Sequence, residues 1–554
     1  MLPIAGESAS KRGRLSSFKP ELWILLATLA VGIPTLTQPL GRDQGICAYI
    51  GNVILHGGAP YKDGWDTRPP GLFYIDGLAV FLFGKTGLAL RLLDLIVQFA
   101  TAVALSRLGR RFFGVKAGTF AGMLFLCAYF MGTDWWNLAN GDIYILLPST
   151  LALLCLLPER KGLRFGWDFL AGELIGIVFW IRYTHGLLFL PAIAAILLHD
   201  FRAKPYRAGH RGLRLLFLGA GFAAVVASYV TLLITQGAWA DFTYTLFDFG
   251  AHYAKTMYGH GLVYYLRFFR DQHLEWGWRN LALVLPALLA AYHLLRKRRE
   301  ELATIMLVTW SVSSYLGFAI MAKFFVYHWF ALFGPFSVLA GYAYSEILRK
   351  PPVTWMNRKV QYLMVGCLIV SLGVAGRGTI HQALQEAAVL KGFLSREKYW
   401  AEFDRIGPIA SFSVTSNYVG AAYLRERTSP DDTVLLWSSD TLILFLADRR
   451  GIERFSTNLM FTPVWRRRDW MEEFLNKVRT LKPAYAVISF HDAVPHVSGN
   501  GWDSQSLLRQ FPKLSNYLLD NYTLETVIGN MEFHRRNPHE VEGGAIRKSR
   551  WNHL

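Results

Sequence analysis

The sequence predicts a polytopic α-helical membrane protein, with about eleven spans and a C-terminal α/β domain on the external face. Three observations carry this. Hydrophobic residues make up 53% of the 554 residues and charged residues only 18%, against about a quarter charged in ordinary soluble proteins. The apolar residues gather into runs approaching the roughly 20 that a helix needs to cross a bilayer core. After residue 376 that pattern stops, and short β-rich runs alternate with helical ones. Disordered, fibrous and small disulfide-rich secreted proteins are excluded. The net charge of +18 then has two readings, nucleic-acid binding or cytoplasmic loop charge.

The first element is a basic stretch (Lys11, Arg12, Arg14, Lys19) before the apolar run 22–36. It resembles a signal peptide in outline, but Pro34 and the residues after it offer no small-residue cleavage site. An uncleaved first helix is expected. Spans follow near 20–37, 88–108, 115–132, 143–157, 168–183, 184–199, 214–236, 277–295, 301–321, 329–347 and 359–376. With the N-terminus in the cytoplasm, the inside segments carry about three times as many Lys and Arg as the outside loops before residue 377. They include Arg110, Arg111 and Lys116; Arg160, Lys161 and Arg164; Arg202, Lys204, Arg207, Arg211 and Arg214; Arg296 to Arg299; and Arg349, Lys350, Arg358 and Lys359. This is the positive-inside bias. It predicts N-in and C-out and accounts for the basic charge without nucleic acid.

Gly71–Phe83 is apolar but too short to span comfortably, and counting it would put Arg110 and Arg111 outside. Segments 45–57 and 71–83 are therefore expected to lie at the outer surface, in a structured external loop of about 38–87. A second external loop, about 237–276, is rich in aromatics, among them Trp239, Tyr244, Tyr253 and Tyr258. It reads either as an interfacial belt or as a wall or lid for a lipid or sugar. Beyond the last span, 433–438 and 484–490 read as strands and 416–427 and 467–480 as helices. Residues 522–528 and 531–535 read as a terminal strand pair around Gly529-Asn530. There is no Walker loop and no GxGxxG. The four cysteines have no metal-ligand spacing.

Charged residues at a membrane interface are costly unless they have a task, and the external side holds a compact set. Arg42 and Asp43 follow the first span. Asp66 and Arg68 lie in the first loop. Asp142 sits at the outer end of the fourth span, Arg182 and His185 at the turn between the fifth and sixth, and Lys323, Tyr327 and His328 before the tenth. Singly each has a plain reading: a cap for Asp43, a snorkelling cation for Arg68. Together they suit a reaction on an anionic phosphate ester. A carboxylate would take a proton from an acceptor, and the cations would hold a leaving phosphate.

Several motifs carry a resemblance. They are Asp43; Ala48-Tyr49; Gly58-Ala59-Pro60-Tyr61-Lys62-Asp63; Arg68-Pro69-Pro70; Phe83-Gly84; Arg91-Leu92; Arg110-Arg111-Phe112-Phe113-Gly114; and, later, Lys323 to His328 ahead of Pro335. The tail segment Ser429-Pro430-Asp431-Asp432-Thr433-Val434 adds to them. The chain resembles the GT-C membrane glycosyltransferases, most of all the bacterial relatives of protein O-mannosyltransferases and the lipid A aminoarabinose transferase. The likeness is strongest over 41–200. It implies a GT-C transmembrane catalytic domain over 1–376 and an extracytoplasmic α/β domain over 377–554. It implies the bacterial inner membrane as location, with the active site on the extracytoplasmic face.

The resemblance further implies a polyprenyl-phosphate-linked sugar donor and an extracytoplasmic lipid, polysaccharide or protein acceptor. Asp43 becomes the catalytic base and Asp142 a second carboxylate. Arg68 becomes a phosphate contact, with Lys323, Tyr327 and Arg182 as further ones; Arg42, Asp66, His185 and His328 are additional site candidates. Many members carry Asp-Glu after the first span, whereas Asp43 is followed by Gln44, which weakens a divalent-metal reading. No cofactor is firmly implied. The rival readings are a lipid-linked sugar flippase, disfavoured by the absence of an evident internal repeat, and a polysaccharide ligase.

Overall fold

The computed structural model describes residues 19–157, 164–203, 208–256, 261–299, 301–349, 355–407, 411–463 and 465–538. Lys11, Arg12, Arg14, Arg160, Lys161, Lys204, Arg207, Tyr258 and Lys350, used above, lie outside the described residues.

The chain is a polytopic helical membrane protein. Its helices are α1 (Pro20–Gly32), α2 (Arg42–Leu55), α3 (Gly71–Phe83), α4 (Gly87–Phe113), α5 (Val115–Leu126), α6 (Gly141–Tyr144), α7 (Leu146–Cys155), α8 (Arg164–Ile181), α9 (Phe189–Ala203) and α10 (Ala208–Thr235). There follow α11 (Trp239–Thr243), α12 (Gly250–Lys255), α13 (Leu262–Arg279), α14 (Leu281–Lys297), α15 (Leu302–Ala319), α16 (Phe333–Ile347) and α17 (Arg358–Leu390). Each apolar stretch expected to span overlaps one of these helices. Among the described residues, α4, α10, α15 and α17 are long and apolar enough to cross a membrane, and α13 and α14 form a pair bent by 101°. Other apolar helices are shorter, among them Pro20–Thr35, Val115–Met131, Gly141–Cys155 and Tyr183–Leu198.

Small residues let the helices approach. A Cβ at Gly172 of α8 would lie 2.0 Å from the Leu218 carbonyl oxygen of α10, and one at Gly221 of α10 would lie 2.0 Å from that of Phe169. Such contacts drive association where lipid removes the hydrophobic incentive. Arg214 adds a buried fork to Asp168, Nε and Nη2 at 2.8 and 2.9 Å. Helix α16 is buried from Phe333 to Ser345, as a helix that is apolar on all sides must be.

Between α1 and α4, α3 spans the expected residues, and α2 packs on it through paired glycines. A Cβ at Gly51 would lie 2.5 Å from the Gly77 amide nitrogen. Two expectations change. The segment expected as a second loop, about 237–276, is largely helical in its described residues: α11, a π turn at Tyr244–Phe249, α12 and α13. Its aromatic and charged residues break the hydropathy signal without breaking the helix. Helix α17 runs on to Leu390, past residue 376. The added stretch is polar but rich in Ala, Gln and Leu, good helix formers; hydropathy marks where grease ends, not where a helix does.

Beyond α17 lie α18 (Arg396–Ala401), α19 (Val414–Arg427), α20 (Leu442–Ala447) and α21 (Arg468–Leu481), with strands β1 (Val434–Trp437), β2 (Tyr485–Ser489), β3 (Tyr522–Ile528) and β4 (Met531–Arg536). The sheet order is β1-β2-β4-β3. β1 and β2 are parallel; the other pairs are antiparallel. β1 and β2 are buried at every residue, which is why they read as continuous apolar runs. Gly529, at φ +55°, takes the left-handed turn of the β3–β4 hairpin, a conformation that costs glycine little.

Candidate active site

The site is assembled from segments far apart in sequence. Asp43 stands in the first turn of α2, where the helix dipole favours a carboxylate. Arg68 reaches it from the turn before α3, with Nη2 2.7 Å from Asp43 Oδ2 and Nη1 2.8 Å from Asp66 Oδ2. The turn is tied on both sides. The Arg68 amide donates to Asp66 Oδ1 at 2.9 Å, and the Tyr61 hydroxyl donates to the Arg68 carbonyl at 2.7 Å. Tyr61 has φ +67°, the kind of backbone strain found at functional sites.

One guanidinium therefore bridges two carboxylates and leaves three of its five N–H donors for other partners. Burial opposes the charge on Asp43, but the pull of Arg68, its hydrogen bond, and the more distant Arg42 and Arg182 outweigh it; the carboxyl titrates below the usual aspartate range. At Asp66 burial wins against Arg68, with Asp43 adding to it, and the carboxyl titrates above that range. Asp43 remains 22% exposed at its side chain and is the more accessible carboxylate of the two, Asp66 being 4% exposed.

Asp142 lies in α6, which Asn140 caps through its Oδ1 and the Gly141 amide. Its carboxylate is fully buried and forked by Arg182, with Nε at 2.9 Å and Nη2 in contact. His185 Nε2 stands 3.9 Å from Asp142. The Arg182 guanidinium lies 5.8 Å from the centre of the Tyr327 ring, and Tyr327 packs edge-on against His328. Asp43 is within electrostatic reach of Arg182, so the two carboxylate–arginine pairs share one site.

Lys323 comes from the segment between α15 and α16, flanked by Ala322 at φ +51° and Phe324 at φ +47°. Its Nζ donates to the Tyr253 carbonyl at 3.2 Å and the Thr256 hydroxyl at 2.8 Å and lies 3.9 Å from the centre of the Tyr253 ring. Burial lowers its ammonium to about 8. Tyr253 also feels Arg68, Asp43, Asp66 and Arg182. The aromatic segment thus stands against Lys323 through Tyr253 and Thr256. Only its aromatic composition signalled this in sequence.

Arg42 departs from the site expectation. Its Nε pairs with Asp440 Oδ1 at 2.5 Å, turned toward the C-terminal α/β region. Asp440 itself, 398 residues away, had no signal in the sequence. Gln44 finds its explanation here. Its Oε1 accepts from the Gly41 amide, and its Nε2 donates to the Trp136 carbonyl at 3.1 Å and to that of Leu138. An ionised glutamate has no donor for those two carbonyls. Among the described residues no three His, Cys, Asp or Glu side chains come together as a metal-ligand set.

Residues 67–236 match the family model described as dolichyl-phosphate-mannose-protein mannosyltransferase. That stretch holds Arg68, Asp142, Arg182 and His185; Asp43 and Lys323 fall outside it. A search of curated protein sequences returns no match. Among solved structures, ArnT from Cupriavidus metallidurans bound to undecaprenyl phosphate is 13% identical with a TM-score of 0.56, over 93% of this chain and 97% of that one. The chain has the GT-C fold. The apo form of the same ArnT agrees, at 16% identity, a TM-score of 0.54 and the same coverage. The Archaeoglobus fulgidus oligosaccharyltransferase in its apo form is 14% identical with a TM-score of 0.47, over 94% of this chain and 75% of that one.

Proposed function

We propose that this GT-C protein transfers a sugar from a polyprenyl-phosphate donor to an extracytoplasmic acceptor, with inversion at the anomeric carbon. The observation that carries the reading is the Asp43–Arg68–Asp66 bridge beside the Asp142–Arg182 pair: an accessible ionised base among cations suited to a phosphate. Asp43 takes the proton of the acceptor hydroxyl or amine. The acceptor atom bonds to the anomeric carbon, and the bond from that carbon to the phosphate oxygen breaks with its electron pair on the polyprenyl phosphate. Arg68, Arg182 and Lys323 stabilise the departing charge. The charge needs little general-acid help because phosphate is already a good leaving group.

The donor's lipid has a candidate path. An apolar groove of 260 Å³ runs between α14, α15 and α16, lined by Leu288, Leu295, Val312, Leu316 and Phe336 among others. Tyr315 on its wall contacts His273 Nε2 at 2.9 Å, and His273 packs on Phe324, next to Lys323. A prenyl chain in that groove brings its phosphate toward Lys323. The reading includes eleven spans, N-in and C-out in an inner membrane, a transmembrane domain over 1–376 and an external α/β domain over 377–554. This puts the site on the extracytoplasmic face. The ArnT of C. metallidurans, bound to undecaprenyl phosphate, supports the lipid class.

The test is purified protein in vesicles with a labelled polyprenyl-phosphate monosaccharide. Release of polyprenyl phosphate with sugar transfer is expected; label crossing the bilayer without bond cleavage would favour a flippase. Lys323 adds a pH dependence. Its lowered value means that the ammonium is charged below about pH 8 and neutral above it. The donor KM is expected to rise above pH 8, by up to about tenfold per pH unit, and to stay flat in Lys323→Arg. A KM independent of pH to 9.5 in the wild type removes Lys323 from phosphate binding.

A further inference from the structure

We propose that Arg42 and Asp440 form a positioning pair through which the C-terminal α/β region sets the placement of Asp43 against Arg68. This rests on the reading of Asp43 as the base. Arg42 and Asp43 are neighbours in the first turn of α2, so whatever holds one side chain fixes the backbone of the other. The Arg42 guanidinium is nearly buried. Its Nε meets Asp440 Oδ1 at 2.5 Å, and its Nη2 donates to the Ser411 carbonyl at 2.8 Å.

Asp440 is a stiff anchor. It follows β1, and its amide donates to Ser438 Oγ at 3.0 Å, which also bonds Ser489 Oγ of β2 at 2.6 Å. The Ser439 amide donates to Asp492 Oδ2 at 3.3 Å, and Ser504 Oγ donates to the same oxygen at 2.7 Å. The ends of both parallel strands therefore stand behind the carboxylate.

The same face of α2 continues the contact at helical spacing. A Cβ at Gly45 would lie 2.5 Å from Leu442 Cβ of α20. The Gly451 amide donates to the Tyr49 hydroxyl at 2.8 Å. Gly51, elsewhere on α2, is packed on Gly77 of α3. Helix α2 is thus held between the α/β region and α3, with Asp43 in its N-terminal turn paired to Arg68. Arg42 is also within electrostatic reach of Asp43. Without Asp440, the freed guanidinium is left with Asp492 and Asp43 as the carboxylates within its electrostatic reach, and a turn toward Asp43 competes with Arg68 for it.

The test is donor turnover by Asp440→Asn and Asp440→Glu in the full-length protein, with Asp43→Asn in the same assay. Asp440→Asn is expected to lower kcat about tenfold, since misplacement of a base by a fraction of an ångström is costly, with the donor KM within twofold of wild type. Asp440→Glu is expected to recover most of the loss. Wild-type kcat in Asp440→Asn, or a loss shared equally by KM and thermal stability, overturns the pair. If Asp440→Asn is not recovered folded, Tyr49→Phe carries the test through the milder loss of one hydrogen bond. A two- to threefold fall in kcat at unchanged KM supports the proposal, and no fall overturns it. Near-wild-type turnover by Asp43→Asn would instead overturn the base reading, and this proposal with it.

Discussion

Asp43→Asn is expected to lower kcat by about 10²- to 10⁴-fold, the range over which a positioned base contributes, with little change in donor KM. The amide keeps the size and the hydrogen-bonding oxygen of the carboxylate, and Arg68 keeps Asp66 at 2.8 Å, so the phosphate side of the site survives. What disappears is the proton acceptor. Arg68 holds Asp43 below the usual aspartate range. The base is therefore ionised throughout the neutral range, and the acid limb of wild-type kcat should lie below that of an ordinary aspartate. Steady-state transfer from labelled donor in vesicles, followed over donor concentration and pH, reads these quantities. Near-normal kcat in Asp43→Asn would remove Asp43 from the chemistry. The other carboxylate behaves differently: Asp142 is fully buried and forked by Arg182. Its removal strands an arginine charge and is expected to lower stability as well as rate.

What was legible in the sequence follows from how local each signal is. Helix α3 and the β3–β4 hairpin are read almost to the residue because an apolar run closed by Phe83-Gly84, and two β-rich runs around Gly529-Asn530, are each complete within one short stretch of chain. Helices α11 to α13 are hidden because hydropathy weighs Arg267 and Asp271 against their aromatic neighbours and sees a loop. The convergence of Asp43, Arg68, Asp142 and Arg182 is legible only as a side of the membrane; alternation of spans assigns a face but no distances. Side-chain direction is not legible at all. Arg42 and Asp43 are adjacent and look alike as site candidates, yet one turns to Asp440 and the other to Arg68. The partner that decides it is hundreds of residues away.

Arg68→Ala is expected to lower kcat/KM for the donor by about 10²- to 10³-fold, the scale for removing one donor to a developing oxyanion. Its pH dependence distinguishes this loss from that of Asp43→Asn. Arg68 is the largest influence holding Asp43 low against burial. Without it the Asp43 carboxyl rises, and the acid limb of the residual activity moves up in pH. Asp66, already above the usual range, becomes neutral more readily and does not replace the lost charge. Arg68→Lys restores the charge but not the fork, because an ammonium cannot bond Asp43 and Asp66 in the planar geometry of the guanidinium. It should recover the position of the acid limb more fully than it recovers kcat/KM. If Arg68→Ala loses activity with the acid limb unmoved, Arg68 binds the donor without tuning the base. If the limb moves and kcat/KM does not fall, the phosphate is held elsewhere, with Arg182 and Lys323 the next residues to test.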